Sequence, residues 1–118
     1  MITGTVNNDG VPVIALNIGG RTWTAIIDTG FNGDLEIPES LRDHFQPRFI
    51  GRAIAVLAAG QEVEEDSYLV DFWFDGTLRE CQATFSKCQE LLVGTGLLLQ
   101  HRLKIDFPLR TVEVIASI

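Results

Sequence analysis

The chain has 118 residues, 46% of them apolar, and carries a formal net charge of −7. That length suits one domain (1–118) with a real core, and leaves no room for two copies of any lobe-sized unit. A surplus of acid repels the phosphates of nucleic acid and of an anionic membrane, so neither is expected as a partner.

The pattern is that of an all-β chain, with period-two alternation and frequent turns. Met1 to Val6 reads as a first strand. Asn7-Asn8-Asp9-Gly10 is a hairpin turn, and Val11 to Ile18 the return strand. After Gly19-Gly20, Arg21 to Ile27 forms a third strand, apolar on both faces near its end and so expected to be central and buried. It delivers Asp28 into the turn Thr29-Gly30.

Pro38 to Phe45 reads as a short helix with Pro38 and Glu39 in its first turn. Arg52 to Leu57 and the acidic stretch Glu62 to Ser67 make a solvated hairpin around Ala58-Ala59-Gly60-Gln61. Tyr68 to Phe74 and Leu78 to Phe85 form another strand pair around Asp75-Gly76. Leu91 to Val93 is a short buried strand, Leu97 to His101 a short helix, Leu103 to Phe107 an alternating strand, and Thr111 to Ile115 a last strand. No internal repeat or linker is visible.

The N-terminus has no signal-peptide pattern, and the longest strongly apolar stretch, Leu91 to Leu99, is too short to span a bilayer. A cytoplasmic protein with Cys81 and Cys88 as free buried thiols is the expectation. His44 and His101 lie far apart with no ligand-spaced neighbour, so no metal site and no cofactor are expected. No Gly-x-Ser-x-Gly elbow is present, and Gly94-x-Gly96 lacks the third glycine of a dinucleotide loop.

Asp28-Thr29-Gly30 after Ala25-Ile26-Ile27 is the chemically suggestive segment: a strand carries one carboxylate into a glycine turn, where backbone approaches it closely. Taken with Ala58-Ala59-Gly60 and with Leu92-Val93-Gly94-Thr95-Gly96-Leu97-Leu98, in that order, it resembles the retropepsins, the single-lobe aspartic peptidases. Phe31-Asn32-Gly33 is similar to the bacterial members. The resemblance runs from about Val11 to Val114.

It implies a retropepsin-like acid protease fold, a single lobe with one or two short helices, closed as a symmetric homodimer. It implies Asp28 as the catalytic residue, Thr29 and Gly30 as the active-site loop, and Ala59 and Gly60 at the tip of a flap over an extended peptide or protein substrate. With one Asp-Thr-Gly per chain, the second carboxylate of the dyad is expected from Asp28 of a twin chain. The Met1 to Val6 strand, Val112 and Val114 are expected to add to the dimer interface. The competing readings are a dimeric peptide-binding or scaffold module of the same fold with little or no hydrolysis, and a small β domain with an accidental motif.

Overall fold

The computed structural model describes residues 1–117. Ten strands form one sheet: β1 (Ile2–Val6), β2 (Pro12–Ile18), β3 (Arg21–Ile27), β4 (Leu35–Pro38), β5 (Arg48–Val56), β6 (Glu62–Phe74), β7 (Thr77–Ser86), β8 (Leu91–Val93), β9 (His101–Asp106) and β10 (Thr111–Ala116). A 3-10 helix spans Glu39–His44 and a single α-helical turn, α1, spans Thr95–Leu98. The spatial order is β5-β6-β7-β4-β8-β3-β2-β1-β10-β9. No helix among the described residues is long and apolar enough to cross a membrane.

Apolar side chains at alternate positions build the core. Ile14, Leu16 and Ile18 come from β2, Ala25 and Ile27 from β3, Val70, Phe72 and Phe74 from β6, and Val112 and Val114 from β10. All are removed from water, the main favourable contribution to such a fold. The 3-10 helix docks through Arg42. Its guanidinium forks onto Glu39 (2.7 and 3.0 Å) and lies over the rings of Tyr68 and Phe85, 4.8 and 4.2 Å from their centroids.

Two relationships position everything that follows. First, β8 is inserted between β3 and β4, parallel to β3 and antiparallel to β4. The chain from Ile27 to Leu35 must therefore pass over the end of β8. Second, β6 is one unbroken strand of 13 residues. Its C-terminal half faces Val70, Phe72 and Phe74 into the core, and its N-terminal half projects as an arm paired with β5.

Several boundaries differ from the sequence expectation. β4 was not anticipated: it is four residues long, too short to display alternation. β5 begins at Arg48 rather than Arg52, because Gly51 marks a bulge, not a strand end. Phe49 pairs with Tyr68 and Gly51 with Ser67, so Ile50 is the extra residue. The acidic stretch and Tyr68–Phe74 are one strand.

Helix α1 starts at Thr95 and stops before His101. The amides of Thr95 and Gly96 are drawn to the carbonyls of Phe31 and Gly33, and His101 is taken by pairing with Ala116. Phe107 falls in the turn after β9. Cys81 is fully buried, but Cys88 only half-buried; both thiols are free. β1 is paired on both sides, by β2 and β10, so its backbone is not free to pair with a second chain, and Val112 and Val114 are fully enclosed in the chain's own core; Met1, Thr3 and Thr5 remain exposed. The edges of the sheet are β5 and β9.

Candidate active site

The segment from Asp28 to Asp34 is tied down at both ends to the terminus of β8. The Asp28 amide donates to the carbonyl of Val93 (2.9 Å), and the amide of Gly94 donates to the carbonyl of Asp34 (3.0 Å). Between them, the amide of Thr95 donates to the Phe31 carbonyl (2.8 Å) and that of Gly96 to the Gly33 carbonyl (3.1 Å). The Thr95 hydroxyl adds a second donor to the Phe31 carbonyl at 3.3 Å. Buried backbone polar groups need partners, and here one loop supplies the acceptors for the other.

This accounts for the second sequence block. Gly94 has ordinary extended backbone (φ −94°, ψ 175°), so conformation does not require glycine. Space does: a Cβ at Gly94 would collide with the carbonyl of Gly33, and one at Gly96 with Oδ1 of Asp34.

Asp28 is half-buried at the entrance to this loop. Its Oδ1 accepts a hydrogen bond from the Gly30 amide at 2.9 Å, and its carbonyl accepts one from Phe31 at 3.1 Å. The carboxylate is thus oriented by its own turn. Thr29 and Gly30 are exposed beside it.

Asp34 does a different job. Its Oδ2 accepts the Gln82 amide at 2.9 Å, fastening the loop to β7. Sequence reasoning passed over Asp34; its distance from Asp28 in the turn carries no signal until β8 is known to lie between the strands.

A groove of about 370 Å³ opens beside the loop. One wall runs from Gly30 to Leu35, the second is Ala53 to Val56 on the arm, and the floor is Glu65, Ser67 and Gln82 to Thr84. The structure therefore brings the Asp28 loop and the β5–β6 arm together around one cavity. Ala59 and Gly60 sit at the tip of that arm, as expected, in a turn closed by Gly60 N to Leu57 O and Leu57 N to Gln61 O, both 2.8 Å. They do not line the groove; Ala53 to Val56 do.

The site is acidic. Burial pushes the Glu36 carboxyl, on β4, above its ordinary value, and the charges of Glu65 and Asp28 push it further; a hydrogen bond with Ser86 opposes them. Behind the floor, burial pushes the Cys81 thiol up to about 12, with the Asp34 charge adding to the effect. Among the described residues no group of three or more His, Cys, Asp or Glu side chains is placed to hold a metal ion.

No family model and no curated protein matches this sequence. Solved structures do. A retropepsin-like aspartic protease from Rickettsia conorii superposes with a TM-score of 0.69 at 15% identity, over 95% of this chain and 87% of its own. The protease of simian foamy virus gives 0.56 at 23% identity, over 74% and 91%. EIAV protease, complexed with the inhibitor HBY-793, gives 0.63 at 16% identity, over 80% and 91%. At such identities what is shared is the architecture. The chain has the retropepsin-like aspartic protease fold.

Proposed function

We propose that this chain is an aspartic endopeptidase that works as a symmetric homodimer, with Asp28 of each copy forming the catalytic dyad. The observation that carries this reading is the Asp28 carboxylate, half-buried and oriented by the Gly30 amide, in the loop whose following residues, Gly30 to Leu35, wall a groove bounded on its other sides by the β5–β6 arm and β7. A scaffold has no need of such a carboxylate. One Asp-Thr-Gly per chain supplies half of a dyad, and an isologous contact brings the same residue to itself.

In this reading two adjacent carboxylates hold one proton, because both cannot ionise side by side. The ionised one takes a proton from a water molecule as its oxygen attacks the scissile carbonyl carbon. The protonated one gives its proton to the carbonyl oxygen. The tetrahedral intermediate collapses as the amide nitrogen is protonated and the C–N bond breaks. Thr29 and Gly30 shape the loop and offer backbone to the peptide. The arm, with Ala59 and Gly60 at its tip, is the flap that closes over an extended substrate and excludes water.

Cleavage of an unstructured protein by wild type and by Asp28→Asn, with sedimentation of both at micromolar concentration, tests this. Wild type is expected to cleave and to sediment as a dimer, and Asp28→Asn to stay folded and dimeric without cleaving. Equal cleavage by the two proteins removes Asp28 from the mechanism, and a purely monomeric active protein removes the dyad.

A further inference from the structure

A second cavity, of about 390 Å³, lies at the turn end of the β6–β7 hairpin, and none of its lining residues belongs to the groove beside Asp28. Phe74, Leu99 and Ala116 supply its apolar lining, and Arg79 and His101 its basic one. Both basic groups lie against the same ring. The Arg79 guanidinium is 5.9 Å from the Phe74 centroid, and the His101 imidazole meets that ring edge-on with centroids 5.3 Å apart. One small ligand over Phe74 can therefore reach both.

Arg79 has been left without a counter-charge. Side chains of β7 alternate between faces. Glu80 takes the outer face, where Arg48 pairs with it and with Asp71. Arg79 takes the inner face with its register partner Phe72. It is half-buried, and among the described residues it makes no ion pair and no side-chain hydrogen bond. Asp75, the one acid lining the cavity, is held instead by the Met1 amino group at 2.6 Å.

His101 is the second observation. Its Nδ1 is enclosed and has no hydrogen-bond partner. A neutral imidazole has one N–H and one bare lone pair. With the proton on Nε2, only the lone pair is orphaned at Nδ1, and Nε2–H is the donor left to meet a ligand.

We propose that this cavity binds a small organic monocarboxylate, its oxygens accepting from the Arg79 guanidinium and from Nε2–H of His101, and its apolar body lying on Phe74, Leu99 and Ala116. The guanidinium fork matches a carboxylate, and such charge-assisted hydrogen bonds are the strong ones. An apolar pocket with a few convergent polar groups is the usual form of a small-molecule site. A dianion is disfavoured, because Asp75 and a net charge of −7 oppose a second negative charge. The site stands apart from the Asp28 groove and does not rest on the peptidase reading.

The test is an NMR titration of the nitrogen-labelled chain with N-acetylleucine, N-acetylleucinamide and inorganic phosphate. N-acetylleucine is expected to give saturable shifts at the amides of residues 74–79 and 96–101, the neutral amide none, and phosphate to bind at least severalfold more weakly. Arg79→Gln is expected to weaken N-acetylleucine binding about tenfold. His101→Phe, which keeps a ring on Phe74, weakens it severalfold, and Arg79→Lys falls between wild type and Arg79→Gln. Circular dichroism verifies the fold of each, and the wild-type map stands by itself should a variant fail to fold.

Absence of saturable shifts overturns the site, as do equal binding of the amide, equal binding of phosphate, or undiminished binding by a folded Arg79→Gln. Shifts confined to residues 30–35 and 53–56 would place the ligand in the Asp28 groove and overturn it equally.

Discussion

Gly94 is packed so closely under Gly33 that a single methyl group at Gly94 would overlap the Gly33 carbonyl oxygen. The contact is backbone against backbone, at the point where the Asp28 loop crosses the end of β8. Neither partner has a flexible side chain to move aside.

Gly94→Ala is therefore expected to destabilise the chain by about 3 kcal/mol or more, since overpacking against a rigid backbone forces the loop itself to shift. In the variant that shift would strain the Gly94 N to Asp34 O and Thr95 N to Phe31 O bonds together, which are 3.0 and 2.8 Å in the native chain. Thermal denaturation measures the loss. An unchanged melting temperature would mean that the two loops separate freely.

Gly60 is glycine for the opposite reason. A Cβ there meets nothing, but its φ of +81° is one that branched residues resist. Gly60→Val is expected to strain the turn locally by about 1–2 kcal/mol and to lower kcat/KM, while Gly60→Asn, which tolerates this conformation, retains most activity. The melting temperature of the whole chain changes little, because the tip is remote from the core. Peptide kinetics on the two variants check this, and equal kcat/KM for Val and wild type would detach the tip from substrate handling.

Glu36 gives a pH signature. Its pKa is raised in the folded chain, so it is protonated more readily folded than unfolded. Its contribution to stability is favourable below the ordinary glutamate range and is lost as pH rises through the folded value. Glu36→Gln, fixed in the neutral state, is accordingly expected to raise the melting temperature at pH 7 and to leave it nearly unchanged at about pH 4 and below. A stabilisation equal at both pH values would assign the gain to packing rather than charge.

The two thiols differ in accessibility. With burial pushing its pKa up to about 12, Cys81 holds almost no thiolate at pH 8, whereas Cys88 is only half-buried. An aromatic disulfide reagent is expected to titrate Cys88 promptly in the native protein and Cys81 only after denaturation. Prompt reaction of Cys81 would reveal opening of the strand pair β6–β7.

Much of the sheet was legible because its strands are long enough to alternate: β1, β2, β3, β7 and β10 lie within a residue or two of their expected bounds. The loop Asp28-Thr29-Gly30 was legible because a charged residue at the end of an apolar strand is conspicuous. What stayed hidden depends on neighbours distant in sequence. β4 exists because β7 and β8 flank it. Gly51 punctuates a strand rather than ending it because β6 continues opposite. The placement of Glu65 on the groove beside the Gly30 to Leu35 loop required the β6–β7–β4 order of the sheet. The burial of Val112 and Val114 by their own chain required the topology: terminal strands read in isolation look like edges, and β1 is instead enclosed by β2 and β10.

The unbroken run of β6 has a mechanical consequence. The arm has no joint on that side: the peptide chain at Glu62 is continuous, in register, with Phe74 in the core. On the β5 side the ladder is interrupted at Ile50, and Gly51, at φ +131°, provides a swivel. The interruption falls on the β5 side alone, so a twist about β6 is the displacement of the arm that would disturb the fewest ladder bonds. Such a twist would carry the tip and, with it, the face bearing Glu65 and Ser67. Opening of the groove and the aim of Glu65 would in this way be one displacement.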